Sequence, residues 1–285
     1  MNKKKSVLES SVFYTLTAIL AGFLIGAVFL VIAGISPAVA YGKLLSSVFG
    51  KPKYLVWTLI YASPLIFTGL SVAFSFRTGV FNIGAEGQFV VGSLAACVLG
   101  ITLKLPPVLH ALVCVAAAAA AGCIWSLAVG ILKVKRGIHE VLSFIMFNWI
   151  AFYLSNYVVN LEAIHKGDGE ATKDVLASSR LLFPEGMRTA LDCSAANWGI
   201  VLAVLAAVLI YVIIEKTTLG YRLKAVGFNS SGALYAGINA DGSVLTALGI
   251  SGALAGLGGA VQILGMSGRL SQFAGQEGFG FEGIT

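Results

Sequence analysis

Charge is scarce in this sequence. Only 11% of its 285 residues are Asp, Glu, Lys or Arg, where a soluble globular domain carries about 25%, and that shortage excludes an ordinary water-facing surface. A G-x-x-x-x-G-K-[ST] stretch is missing as well, so this chain has no backbone nest with its lysine to hold ATP phosphates. The four cysteines make neither a disulfide framework nor a zinc spacing: Cys97, Cys114 and Cys123 lie inside apolar runs and Cys193 stands alone. His110, His139 and His165 are scattered, without carboxylate or cysteine neighbours at ligand spacing. No metal site and no cofactor are therefore expected. Nothing recommends a Ser/His/Asp arrangement, which speaks against an intramembrane enzyme.

What is present is apolar. Hydrophobic residues make up 58% of the chain and the mean hydropathy is +0.90. The expectation is an all-α, polytopic transmembrane helical bundle forming one domain over residues 1–285, in contact with membrane lipid. Spans are expected at about 12–35, 54–76, 86–103, 108–132, 141–161, 198–214 and 243–264. The 34 glycines suit helix packing in lipid, where close backbone approach replaces the drive supplied by water; Gly22 with Gly26, and Gly252 with Gly256, give small-residue faces. The net charge of +6 reflects basic residues beside spans and points to cytoplasmic loops, with no nucleic-acid partner.

Topology follows from these charges. Lys3, Lys4 and Lys5 place the N-terminus in the cytoplasm, and the first span is too long for a cleavable signal. Residues 36–53 read as an external loop broken by Pro37 and Pro52, although Lys43, Lys51 and Lys53 count against that side. The cluster Lys133, Lys135 and Arg136 is the strongest topological marker. Residues 162–197, the longest polar stretch, include Asp168 and read as an external loop, either a docking surface or simply solvated. Residues 215–242, with Lys216, Arg222 and Lys224, are cytoplasmic by parity. There Ser230 or Ser231 is expected to cap a short helix through Gly237.

Two stretches carry candidate function. Residues 77–88, RTGVFNIGAEGQ, form a polar, glycine-bearing break between two apolar segments. An ionisable group at membrane depth costs about 2.5 to 3.5 kcal/mol on insertion scales, so it faces a cavity, a partner or water. A broken helix lining a transport path has this signature. A short turn, with Asn82 or Gly84 capping the next helix and Glu86 complementing its dipole, has it equally. In the span 141–161, Phe144, Asn148, Phe152 and Ser155 share one helical face. That face reads either as interhelical packing or as a translocation wall.

Three motifs carry a resemblance: FNIGAEGQ at 81–88, HEVLSFIMFNWIA at 139–151 and LGYRLKAVGFNSSGALYAGIN at 219–239. Together they resemble the permease subunits of bacterial ABC importers of the branched-chain amino acid and simple-sugar type, most closely the nucleoside permeases that work with basic-membrane-protein lipoproteins. The resemblance covers nearly the whole chain. It implies a multi-pass subunit of the bacterial plasma membrane, partnered by ABC ATPase subunits, a second permease and an extracellular substrate-binding lipoprotein. It also implies a cytoplasmic coupling helix against the ATPase, here Gly220, Tyr221, Arg222, Lys224, Ala225, Gly227, Asn229, Gly237 and Ile238. Lys224 stands where many relatives have arginine, which keeps the charge but not the fork.

The substrate path implied comprises Phe81, Asn82, Glu86, Gln88, Phe144, Asn148 and Phe152, for a nucleoside; ribose or another simple sugar is the alternative. The rival class is a secondary transporter in which Glu86 carries a proton or a cation. Family members continue with further spans beyond the equivalent of residue 285, so a permease lacking its C-terminal helices is expected.

Overall fold

The structure, a computed structural model, describes residues 11–167 and 169–285, with the backbone alone for Ser11 and Val12. Lys3, Lys4, Lys5 and Asp168 lie outside the described residues. The chain divides into two compact units, Met1–Leu55 and Val56–Thr285. Helices in chain order are α1 Ser11–Ile32, α2 Pro37–Phe49, α3 Pro52–Phe76, α4 Ala85–Thr102, α5 Pro107–Arg136, α6 Glu140–Val159, α7 Glu185–Ala190, α8 Gly199–Lys216, α9 Thr218–Phe228, α10 Ser230–Tyr235, α11 Ala240–Ala260 and α12 Phe279–Glu282. A π-helical stretch, Val261–Ser267, prolongs α11. Seven helices among the described residues are long and apolar enough to cross a membrane: α1, α3, α4, α5, α6, α8 and α11 with its extension. These are the seven expected, in an all-α bundle.

The first unit corrects one expectation. Residues 36–53 are not an irregular loop, because α2 occupies most of them. Pro37 sits at the start of α2, where its missing N–H breaks no helical bond and its fixed φ suits the helix. Within this unit Tyr41 donates to Phe23 O at 2.6 Å, and the two rings meet edge to face.

In the second unit α4, α5 and α11 pack most closely, and glycine sets their spacing. A Cβ at Gly122 of α5 would stand 3.0 Å from Gly256 Cα of α11, and Gly92 of α4 faces the same Gly256 backbone. The backbones approach because no side chain intervenes. The chain also repairs its own helix defect in α3. Pro64 cannot donate to Ile60 O, and Ser63 Oγ does so instead at 2.7 Å.

Beyond α6, residues 161–198 fold back onto the bundle rather than hanging free. Leu176 N donates to Gly100 O at 2.9 Å, Leu181 N to Leu264 O at 3.0 Å and Thr172 N to Leu270 O at 2.8 Å. Residues 215–242 are also more ordered than a loop with one helix. There α8 ends at Lys216, two helices follow, and α11 begins at Ala240. The cap of α10 is Asn229, whose Oδ1 accepts from Gly232 N at 2.9 Å, and not Ser230 or Ser231. Asn reaches the N–H three residues on as readily as Ser does.

Gly256→Val is expected to lower the thermal midpoint of the detergent-solubilised protein, at an overpacking cost of about 1–3 kcal/mol or more. Gly186→Val, where an added Cβ meets nothing within 4 Å, is expected to leave the midpoint in place. Equal shifts in both would remove the close glycine crossing from the account.

Candidate functional site

The break at 77–88 begins where α3 is terminated. Gly79 takes φ 73°, its N–H bonds Phe76 O at 3.0 Å, and Val80 N bonds Ser75 O at 3.3 Å. This is a Schellman closure, which glycine favours because a left-handed φ strains other residues. The next helix starts at Ala85, so residues 77–84 have no helical ladder of their own, and Thr78, Val80, Asn82 and Gly84 among them are buried.

Side chains supply the missing bonds. Asn82 Nδ2 donates to Gln88 Oε1 at 2.9 Å and to Ser251 Oγ at 2.7 Å, while Asn82 Oδ1 accepts from Gln88 Nε2 at 2.9 Å and Gly84 N at 3.0 Å. Both donors and both lone pairs of this amide are used. Ser251 Oγ in turn donates to Ser71 O at 2.7 Å. Residues from α3, α4 and α11 thus close one network, and Ser71, Asn82, Gln88 and Ser251 are all fully buried.

From α6, Asn148 Oδ1 accepts from Gly87 N at 2.9 Å, and its Nδ2 donates to Ile83 O at 3.1 Å. One amide thereby satisfies an orphan N–H in the first turn of α4 and a carbonyl in the break. The Phe144 ring lies against Gly84, where any Cβ would enter the ring. The face of α6 carrying Phe144, Asn148, Phe152 and Ser155 is buried as a whole.

Glu86, 1% exposed, reaches the end of the described chain. Its Oε1 accepts from Gly278 N at 2.9 Å and its Oε2 from Gly280 N at 2.6 Å. The intervening Phe279 stacks on Phe89, centroids 5.1 Å apart, and its carbonyl accepts from Thr68 Oγ1 at 2.9 Å. A buried carboxyl group with a backbone N–H on each oxygen clamps residues 278–280 to the start of α4.

The structure therefore brings Asn82, Glu86, Gln88, Phe144 and Asn148 together around the start of α4. Phe81 packs beside them against Val72, Ala85 and Ala255 and tilts against Phe76 at 5.2 Å, whereas Phe152 faces Phe273 instead, stacked at 6.4 Å. Ser71, Ser251 and Gly278–Gly280 were not among the expected site residues, and the one visible signal of the two serines is polarity inside an apolar run. Asn156, a polar residue of the span 141–161, holds Phe273 by N–H and carbonyl alike at 2.8 and 3.0 Å.

A second cluster lies on α9 and α10. Thr217 caps α9 through Gly220 N at 3.2 Å, Leu223 and Val226 are buried, and Lys224 pairs with Glu215 at 3.0 Å. Arg222 lines a cavity of about 210 Å³ with Leu219, Asn239 and Ser243. The αL residue after α10 is Gly237, φ 78°. Ala225 is part-buried in α9, and Ile238 N returns to Ala233 O at 2.9 Å. Composition gave no hint of what lies outward: Tyr221 is 69% exposed, Leu234 66%, Phe228 90% and Tyr235 95%.

Comparison with known proteins bears on both clusters. Residues 54–285 match the family model described as branched-chain amino acid transport system / permease component. The chain is 39% identical over 270 residues to the guanosine ABC transporter permease protein NupP of Bacillus subtilis, covering 95% of this chain and 77% of that protein. It is 33% identical over 290 residues to the nucleoside ABC transporter permease protein NupB of Lactococcus lactis, covering 100% and 78%. Against the glucose ABC transporter permease protein TsgB13 of Haloferax volcanii the identity is 32% over 276 residues, covering 93% and 71%. No solved structure matches the chain.

Asn82→Ala is expected to destabilise the folded protein by about 1–3 kcal/mol for each partner left unsatisfied. A double-mutant cycle of Asn82→Ala with Gln88→Ala is expected to show a coupling energy within about 0.5–3 kcal/mol. Strict additivity in the denaturation midpoints would mean the two amides do not support each other.

Proposed function

Since the chain belongs to the family of branched-chain amino acid transport system permease components, we propose that the solute it carries is a nucleoside. The protein is a multi-pass, membrane-spanning subunit of an ATP-driven ABC importer, and ATP hydrolysis falls to a separate subunit. The observation that supports a nucleoside is the identity to two nucleoside-class permeases along almost the entire chain. The glucose permease, 32% identical, keeps a simple sugar as the second reading.

A second permease completes the path, a substrate-binding lipoprotein delivers the solute outside a bacterial cell, and the N-terminus faces the cytoplasm. Phe81, Asn82, Glu86, Gln88, Phe144, Asn148 and Phe152 border the path or hold its wall. Asn82, Gln88 and Asn148 do so by fixing the start of α4, because their polar atoms are already engaged with one another and with backbone. Glu86 positions residues 278–280 and needs no role as a proton carrier, since both its oxygens hold backbone N–H groups.

The assay is uptake of labelled guanosine or uridine in cells carrying the complete transporter, with unlabelled competitors. Nucleosides are expected to abolish the signal, ribose and branched-chain amino acids to leave it. Uptake is also expected to survive collapse of the proton gradient while ATP is held constant. Competition by ribose alone would replace the nucleoside with a sugar, and loss of uptake with the gradient would favour the secondary-transporter class.

Coupling to the ATPase is proposed for α9 and α10, with Gly220, Tyr221, Arg222, Lys224, Ala225, Gly227, Asn229 and Gly237 shaping the pair. Their exposed aromatics supply apolar area suited to a partner's groove, since aromatic anchors dominate interface energetics. Arg222→Glu is expected to leave the protein in the membrane and ATP hydrolysis running while uptake per ATP drops. A cysteine at Tyr235 is expected to crosslink to the ATPase. Normal uptake in Arg222→Glu together with no crosslink would remove α9 and α10 from the interface.

A further inference from the structure

One backbone contact ties α9 to the polar network at the start of α4. The turn that closes α3 meets the last turn of α9 directly. A Cβ on Gly227 would overlap the Arg77 carbonyl oxygen and stand 3.1 Å from Thr78 C, and a Cβ on Gly79 would stand 3.4 Å from both Cα and O of Gly227. Gly79 is required by its own φ of 73°. Gly227 is not, because it lies within α9, where glycine costs about 1 kcal/mol relative to alanine. Its local disadvantage is offset by closeness: only glycine lets the two backbones touch there.

What the contact joins is specific. On one side α9 continues into the exposed apolar side chains Phe228, Leu234 and Tyr235, and its Leu223 packs in one cluster with Phe74 of α3 and Ala247 of α11. On the other side, three residues after Gly79, Asn82 enters the buried network with Gln88 and Ser251. The rings of Phe76 and Phe81, 5.2 Å apart, brace the turn between them. A long side chain at this contact would absorb a displacement by rotating. Backbone against backbone has no such freedom, so a shift of one segment is passed to the other.

We propose that the Gly79–Gly227 contact is the positioning joint through which movement of α9 reaches the Asn82 network and thereby the transport path. The joint rests on the docking of α9 and α10 on an ATPase, and the experiment separates the two. In the complete transporter, Gly227→Ala is expected to keep the crosslink from position 235. Solute moved per ATP is expected to fall about tenfold or more, within the range of typical intersite coupling. Gly186→Ala, in open space, is the control and leaves the ratio unchanged.

In a second arm, thiol reactivity of Arg77→Cys is measured with and without a non-hydrolysable ATP analogue. It is expected to respond to nucleotide when residue 227 is glycine and to stop responding in Gly227→Ala. An intact crosslink with an unchanged ratio in Gly227→Ala overturns the joint alone, whereas absence of the crosslink in the otherwise unaltered protein overturns the docking and the joint with it. If Gly227→Ala does not accumulate, the Arg77→Cys arm decides, and reactivity indifferent to nucleotide overturns the proposal.

Discussion

An amide side chain buried between lipid-facing helices has nowhere to turn for hydrogen bonds except its protein neighbours. Asn82 meets that constraint with four bonds, to Gln88 twice, to Gly84 N and to Ser251. Each unpaired group would cost about 1–3 kcal/mol on mutational scales, so the four bonds decide how α3, α4 and α11 are placed. The glycines act in the same direction. Gly84, Gly92, Gly122 and Gly256 remove side chains where Phe144 or a neighbouring backbone has to come close. The start of α4 is thus fixed by polar satisfaction and by the absence of bulk, and Glu86 then extends that fixed point to residues 278–280.

The spans were legible because bilayer thickness imposes a length of apolar sequence, and seven such runs are seven helices. The inward face of α6 was legible from helical periodicity alone, and all four residues of the stripe are buried. Residues 36–53 misled because Pro37 resembles a breaker, yet at a helix start it costs nothing. Partners across the chain were not legible. Ser71 and Ser251 are 180 residues apart, and Glu86 meets a backbone 192 and 194 residues away. Periodicity states which face of a helix is inward, but not which residue of another helix stands opposite. FNIGAEGQ therefore announced an unusual site without revealing whether its polar groups face a solute or one another.

The geometry engages those groups with one another and with the backbone around the start of α4. A path through the membrane needs walls that hold their shape, and a helix that begins inside the bundle needs its first N–H groups satisfied. Asn148 does the second task through Gly87, and Asn82 ties the break to α4 and α11 through Gln88 and Ser251. Asn82 stands three residues from Gly79, whose turn touches α9, so this polar network neighbours the surface proposed for the ATPase.

Amide hydrogen exchange at Gly84 and Gly87 is the most direct test of this arrangement. In an ordinary helix, N–H groups this close to the start have no intrahelical partner and exchange early. Here the account predicts that both exchange as slowly as amides in the middle of α4, and that Asn82→Ala releases Gly84 while Gly87 stays protected by Asn148. Fast exchange of both in the unaltered protein, or protection of Gly84 that survives Asn82→Ala, would contradict it.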